Sequence, residues 1–276
     1  MLKNFAVSTN TYHGFSVDEA LTGISNAGFS FVELAAVRNW TEHVMPEMSA
    51  AEIEQVKKQL SQLNLSCLAV SGHCNLTDKE RLNDFRRNMK LANDLGAKYI
   101  ISSTGEAHFG EDEQFTDDVL INNIKDLLPD LEKYDLQLGI EVHGEYGTGE
   151  DVARIVKGVG SERVGINFDT ANVVFYGNVD PVSDLNACLE YVNFIHLKDK
   201  IGFDNVWNFP AVGSGELPLV KILQIVDSVS KEIPVSIEIE FTEDFTMRDK
   251  IAGEVDVVNK SVQDSFAYLK EQGFVG

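Results

Sequence analysis

The sequence predicts a single-domain (β/α)8 TIM barrel spanning residues 1–276. Three observations carry that expectation. Short β-rich runs alternate with longer helical patterns from end to end, as repeated βα units around a parallel sheet require. Eight runs of each kind can be placed, enough to close a barrel. No Gly-x-Gly-x-x-Gly follows the first run, so an open dinucleotide-binding sheet loses its main support. A chain of 276 residues suits one such domain, and no proline-rich linker or low-complexity stretch divides it.

Strands are expected near residues 5–8, 29–34, 65–70, 98–102, 137–142, 163–168, 191–197 and 235–241. Helices are expected near 16–27, 49–63, 79–95, 116–134, 150–158, 181–189, 217–230 and 245–271. Their ends carry capping signals. Ser16 and Ser49 each stand three residues before a glutamate, Glu19 and Glu52, the spacing of a capping box. Gly28, Gly96 and Gly158 follow helical patterns, where a left-handed residue often ends the helix. One connection is long, residues 198–218; it carries Trp207, Phe209, Pro210 and a Gly213-Ser214-Gly215 turn. Its aromatic content points to a loop packed over something, and long loops inside compact domains are usually functional or disordered.

Charge narrows the function classes. Lys and Arg number 23 against 44 Asp and Glu, a net charge of −21 that argues against a general affinity for nucleic acid or anionic membrane. Cys67, Cys74 and Cys188 form no C-x-x-C pair, and an odd number suits a reducing compartment. No signal-peptide stretch or membrane-span run is seen, so a soluble cytoplasmic protein is the expectation.

The chemistry concentrates at strand ends, where barrel active sites lie. In V-S-I-E-I-E-F, residues 235–241, alternation points Ser236, Glu238 and Glu240 to one side of a strand and Val235, Ile237, Ile239 and Phe241 to the other. Unpaired carboxylates are too costly to bury, so a cation, a basic residue or a bound proton must accompany them. Polar groups also end the apolar runs at 138–145, 164–172 and 191–199. Glu141, Asp169, His196 and Glu238 would come from the fifth to eighth strands, giving three oxygen ligands and one nitrogen. That mixture suits Mn²⁺ or Mg²⁺, with Co²⁺ or Zn²⁺ as alternatives. Glu240 is the rival to Glu238, because the two share a face. All six histidines, His13, His43, His73, His108, His143 and His196, fall at or just beyond an expected strand end. Lys198 and Asp199 are assigned no catalytic role. Gly213-Ser214-Gly215 is more simply a turn than a phosphate cradle.

Five segments carry a resemblance: G-I-E-V-H-G at 139–144, N-F-D-T-A-N at 167–172, F-I-H-L-K-D at 194–199, V-G-S-G-E-L at 212–217 and S-I-E-I-E at 236–240. In order and spacing the chain resembles, over nearly its whole length, the xylose isomerase-like barrels called sugar phosphate isomerases/epimerases. The resemblance implies that Glu141, Asp169, His196 and Glu238 bind a divalent metal ion and that Glu141 and Glu238 also handle protons. The implied activity is isomerisation or epimerisation of a small sugar or sugar derivative, by proton abstraction beside a carbonyl through a metal-stabilised enediolate. His73 is implied as a substrate contact; His143, Asn172, Glu33 and Glu106 are further candidates. Members often pair, so a homodimer is among the expected assemblies.

Two departures stand out. Many relatives carry histidine where this chain has Asn172, and an arginine often found beyond the His-x-Lys-Asp motif is missing between Lys198 and Trp207. The second removes a family-typical substrate clamp and, with it, support for a phosphate group. Three other functions compete with this one. A lyase of the inosose dehydratase kind shares the proton-abstraction step. An endonuclease IV-like phosphodiesterase would need further ligands for a three-metal cluster and a basic groove, against the −21 charge. A non-catalytic binding protein would show no turnover at all.

Overall fold

The structure, a computed structural model, describes residues 4–105, 116–251 and 253–276. Its barrel strands are β1 (Phe5–Ser8), β2 (Phe31–Val37), β3 (Ser66–Ser71), β4 (Tyr99–Ser102), β5 (Gln137–Glu141), β6 (Val164–Asp169), β7 (Val192–Leu197) and β8 (Val235–Ile237). Each pairs in parallel with the next, and β1 also pairs with β8, so the sheet closes into the expected barrel. Helices follow the strands: α1 (Val17–Ala27), α2 (Ala50–Gln62), α3 (Arg81–Asp94), α4 (Asp117–Lys125), α5 (Leu128–Lys133), α6 (Gly149–Val159), α7 (Asn172–Phe175), α8 (Pro181–Cys188), α9 (Leu219–Asp227), α10 (Glu243–Met247) and α11 (Val255–Glu271).

Alternation sorts the strand residues into two cores. Val7, Val32, Ile140, Ile166 and Ile237 face outward into the large apolar layer beneath the helices. Ala6, Ala69, Ile101 and Phe194, joined by Leu68 where the β2–β3 register shifts, form a smaller cluster that fills the barrel interior. Phe194 meets the His196 ring edge-on, with centroids 5.9 Å apart, so this plug floors whatever stands above it.

Local signals held at the first helices. Ser16 and Ser49 both form reciprocal capping boxes with Glu19 and Glu52, and Gly28 ends α1 at φ 106°. Elsewhere tertiary packing moved the boundaries. Gly158 lies inside α6, where an added Cβ would come within 2.3 Å of Ile121; the left-handed stop is Gly160. The single helix expected over 116–134 is two, α4 and α5. Pro129 sits in the first turn of α5, where its missing N–H leaves nothing unpaired. The last expected helix also breaks, into α10 and α11.

The eighth strand is shorter than its alternating pattern. After Ile237 the chain leaves the ladder because the Ile239 amide is donated to the Thr11 hydroxyl at 3.0 Å. Phe241 then takes φ 55° and turns Phe241–Thr242 into an antiparallel pair with Asn208–Phe209. The long connection after β7 is thereby clipped to the segment after β8, directly over the mouth of the barrel.

Candidate functional site

Strand register explains why the carboxylates meet. Glu141 of β5 lies beside Asn167 of β6, Asp169 beside His196 of β7, and His196 beside Ser236 of β8, with Glu238 two residues further on. One ligand atom from each of Glu141, Asp169, His196 and Glu238 lies within 4.8 Å of all the others, and all four residues are buried. His196 Nδ1 is 3.6 Å from Glu141 Oε1 and 3.9 Å from Glu238 Oε2.

The donor set fits a divalent cation on two observations. Neither His196 Nδ1 nor Asp169 Oδ2 has a hydrogen-bond partner among the described residues, although both are buried. Buried polar atoms are normally hydrogen-bonded, so two in one cluster that are not mark a place for a ligand; Asp169 Oδ2 has only the Lys198 ammonium, 3.4 Å away. The other nitrogen of His196, Nε2, donates to Glu33 at 3.0 Å, which fixes the ring and leaves Nδ1 facing the cluster. Glu33 is fully buried beneath that ring. Its place is therefore under His196 and away from the cleft wall.

Each glutamate is held by its own partners. Glu141 accepts from His73 Nε2 at 2.6 Å and from Asn172 Nδ2 at 3.0 Å. The Ser71 hydroxyl supports His73 at Nδ1, 2.8 Å away. Glu238 accepts from Asn10 Nδ2 at 2.9 Å and pairs with Lys198 Nζ at 2.9 Å. Glu240 pairs with the same ammonium at 2.7 Å, and Asp169 Oδ2 stands 3.4 Å from it. Sequence reasoning gave Lys198 no role, yet it is the buried basic partner of both glutamates. The signal was present: on a strand, Lys198 lies two residues from His196 and so shares its face.

Burial and charge set the ionisation of these groups. Burial pushes the Asp169 carboxyl up to about 6 and the Glu240 carboxyl up to about 7, with Lys198 opposing both shifts. Burial acts the same way on Glu238, but Lys198 and His196 pull it down to about 2. His196 and His73 likewise hold Glu141 well below the usual carboxylate range, against its burial. Burial lowers His143 to about 4, leaving it neutral near pH 7; its Nε2 meets the Tyr176 hydroxyl at 3.1 Å.

Above the cluster opens a cleft of about 450 Å³, including its mouth. Its floor is formed by Glu141, Glu238, Glu240 and Lys198 with His73, and its walls include Asn10, Trp40, His143, Tyr176, Trp207 and Phe209. The long connection is thus a packed wall, as its aromatic residues implied. Asp199 organises it from below: its carboxylate accepts from the amides of Gly213 and Gly215, each at 2.9 Å, and of Leu217 at 3.2 Å. Those amides are filled from within, so the glycine turn offers no phosphate cradle. His13, stacked on Trp40 at 4.1 Å, and His43, bound to the Phe15 carbonyl at 3.0 Å, stand outside the cluster. Glu106 and His108 lie outside the described residues.

Comparison with known proteins agrees with this architecture. The sequence matches no curated protein. Among solved structures, a D-psicose 3-epimerase from Clostridium cellulolyticum H10, determined with D-tagatose, aligns with a TM-score of 0.78 at 12% identity over 99% of this chain and 100% of that one. A xylose isomerase domain protein from Planctomyces limnophilus aligns at 0.74 and 17% identity, covering 99% and 98% of the two chains. A xylose isomerase-like TIM barrel protein from Mycobacterium smegmatis, in complex with magnesium, aligns at 0.72 and 15% identity over 95% and 97%. At these identities the likeness is one of fold. The family model for the xylose isomerase-like TIM barrel matches residues 21–270, and the chain belongs to that family.

Proposed function

We propose that this protein is a divalent-metal-dependent isomerase or epimerase of a small sugar or sugar derivative, working as one domain over residues 1–276. The observation that carries the reading is the convergence of Glu141, Asp169, His196 and Glu238 on one point, with neither His196 Nδ1 nor Asp169 Oδ2 hydrogen-bonded within the protein there. These four residues would hold the ion; three oxygens and one nitrogen favour Mn²⁺ or Mg²⁺, with Co²⁺ or Zn²⁺ as alternatives. Such an ion supplies Lewis acidity to a chelated carbonyl and hydroxyl. The epimerase and the magnesium-bound protein of the same fold are consistent with this chemistry.

The chain's own groups do the rest. Glu141 and Glu238 reach the cleft from the fifth and eighth strands, so one can take a proton from the carbon beside the carbonyl and the other can return one. His73 and Asn172 orient Glu141, while Asn10 and Lys198 orient Glu238. Neutral His143 stands on the cleft wall within reach of sugar hydroxyls, and His73, whose two ring nitrogens hold Ser71 and Glu141, lies at the cleft floor where a substrate would meet it. Trp40, Trp207 and Phe209 give apolar surface to the C–H face of a sugar and keep water from the reacting carbon. The reading places the enzyme in the cytoplasm, consistent with three buried free thiols, Cys67, Cys74 and Cys188.

The test is a solvent-deuterium exchange screen over ketoses, uronates and inososes with added Mn²⁺. Exchange at a carbon-bound position is expected, with Glu141→Gln and Glu238→Gln each lowering it by about 10²-fold or more. Full exchange in both variants would remove the proton-transfer roles. Loss of water with a dicarbonyl product would reassign the enzyme as a lyase.

A further inference from the structure

Alternation along residues 235–241 puts Glu238 and Glu240 on the same face, yet only Glu238 has a ligand atom in the four-residue cluster. We propose that Lys198 separates the two: its ammonium holds Glu240 out of the cation position and fixes Glu238 within it. The proposal rests on the reading of that cluster as a divalent-cation site.

The geometry is a clamp with two jaws. On one side, Lys198 Nζ lies 2.7 Å from Glu240 Oε2 and 2.9 Å from Glu238 Oε2. On the other, Asn10 Nδ2 lies 2.9 Å from Glu238 Oε1 and 3.5 Å from Glu240 Oε1. Asn10 cannot flip, because its Oδ1 accepts from Trp40 Nε1 at 3.0 Å and from Thr41 Oγ1 at 2.7 Å. Lys198 cannot swing to solvent either: it is 2% exposed, with its ammonium 4.9 Å from the Phe209 ring centroid. Behind Glu240, its own carbonyl is fastened by the Thr246 hydroxyl and by Trp207 Nε1. Two adjacent carboxylates repel in such a place, and one ammonium with three donors can satisfy both. Lys198 therefore acts as a positioning residue, through the glutamates.

A lysine that only filled space would, on removal, leave a disordered cluster and weaker ion binding. A lysine that sequesters Glu240 gives the opposite sign, because its loss frees a fifth ligand and removes a competing positive charge. The experiment is calorimetric titration of the cation-stripped protein with Mn²⁺, for wild type, Lys198→Met and the charge-balanced double variant Lys198→Met/Glu240→Gln. The expected result is binding about tenfold or more tighter in Lys198→Met and a return to within about threefold of wild type in the double variant, since the two changes cancel in charge and act on one contact. Unchanged or weaker binding in Lys198→Met overturns the proposal. So does a double variant that binds more than about tenfold more weakly than wild type, which is the deciding measurement if Lys198→Met does not fold. A wild-type protein that binds no Mn²⁺ removes the cation site itself, a separate failure that takes this inference with it.

Discussion

Glu33 shows how much a single buried side chain can set. Its carboxylate receives His196 Nε2 at 3.0 Å and so decides which ring nitrogen faces the cluster. Glu33→Gln keeps the shape but weakens that hold, and Mn²⁺ affinity measured by calorimetry is expected to fall by about 10–100-fold. His13 gives a different prediction, from stability. Burial first, then the Lys250 and His43 charges, lower it from 6.5 to about 4. Between those values the unfolded chain takes up a proton that the folded one refuses, so stability is lost as pH falls through the window. His13→Phe keeps a ring against Trp40 and removes the titration. Its melting temperature is expected to drop less than that of wild type between about pH 7 and pH 4.5 in thermal scans.

Helix packing overrides helix propensity at Gly23. By propensity alone, alanine inside α1 would stabilise by about 1 kcal/mol. Here an added Cβ would lie 2.1 Å from both Asn259 Oδ1 and the Tyr12 hydroxyl, which are hydrogen-bonded to each other at 3.0 Å. The closeness of α1 to α11 depends on that missing side chain. Gly23→Ala is therefore expected to destabilise by about 1–3 kcal/mol in urea unfolding, because overpacking outweighs the gain in propensity. The eighth strand makes the same point. Its alternation correctly put Ser236, Glu238 and Glu240 on one face, but the pairing with β1 ends at Ile237 because Thr11 captures the next amide on that side, that of Ile239.

Across the whole molecule, the net charge of −21 opposes compaction. Screening should relieve it, so the melting temperature of the cation-stripped protein is expected to rise by several degrees between about 10 mM and 500 mM NaCl. The sequence by itself determined the order of strands and helices, because hydrophobic periods and capping residues are local. It also marked the candidate site residues with local signals: Glu141, Asp169 and His196 stand near the ends of apolar runs, Glu238 lies in an alternating strand, and strand ends of a barrel share one face. Tertiary structure decided what those residues touch. Lys198 as the partner of both glutamates, Glu33 beneath His196 and Asp199 inside the glycine turn are contacts across 14 to 163 positions of chain. Such contacts depend on the register and shear of the closed sheet, and no local pattern encodes distances between side chains on different strands.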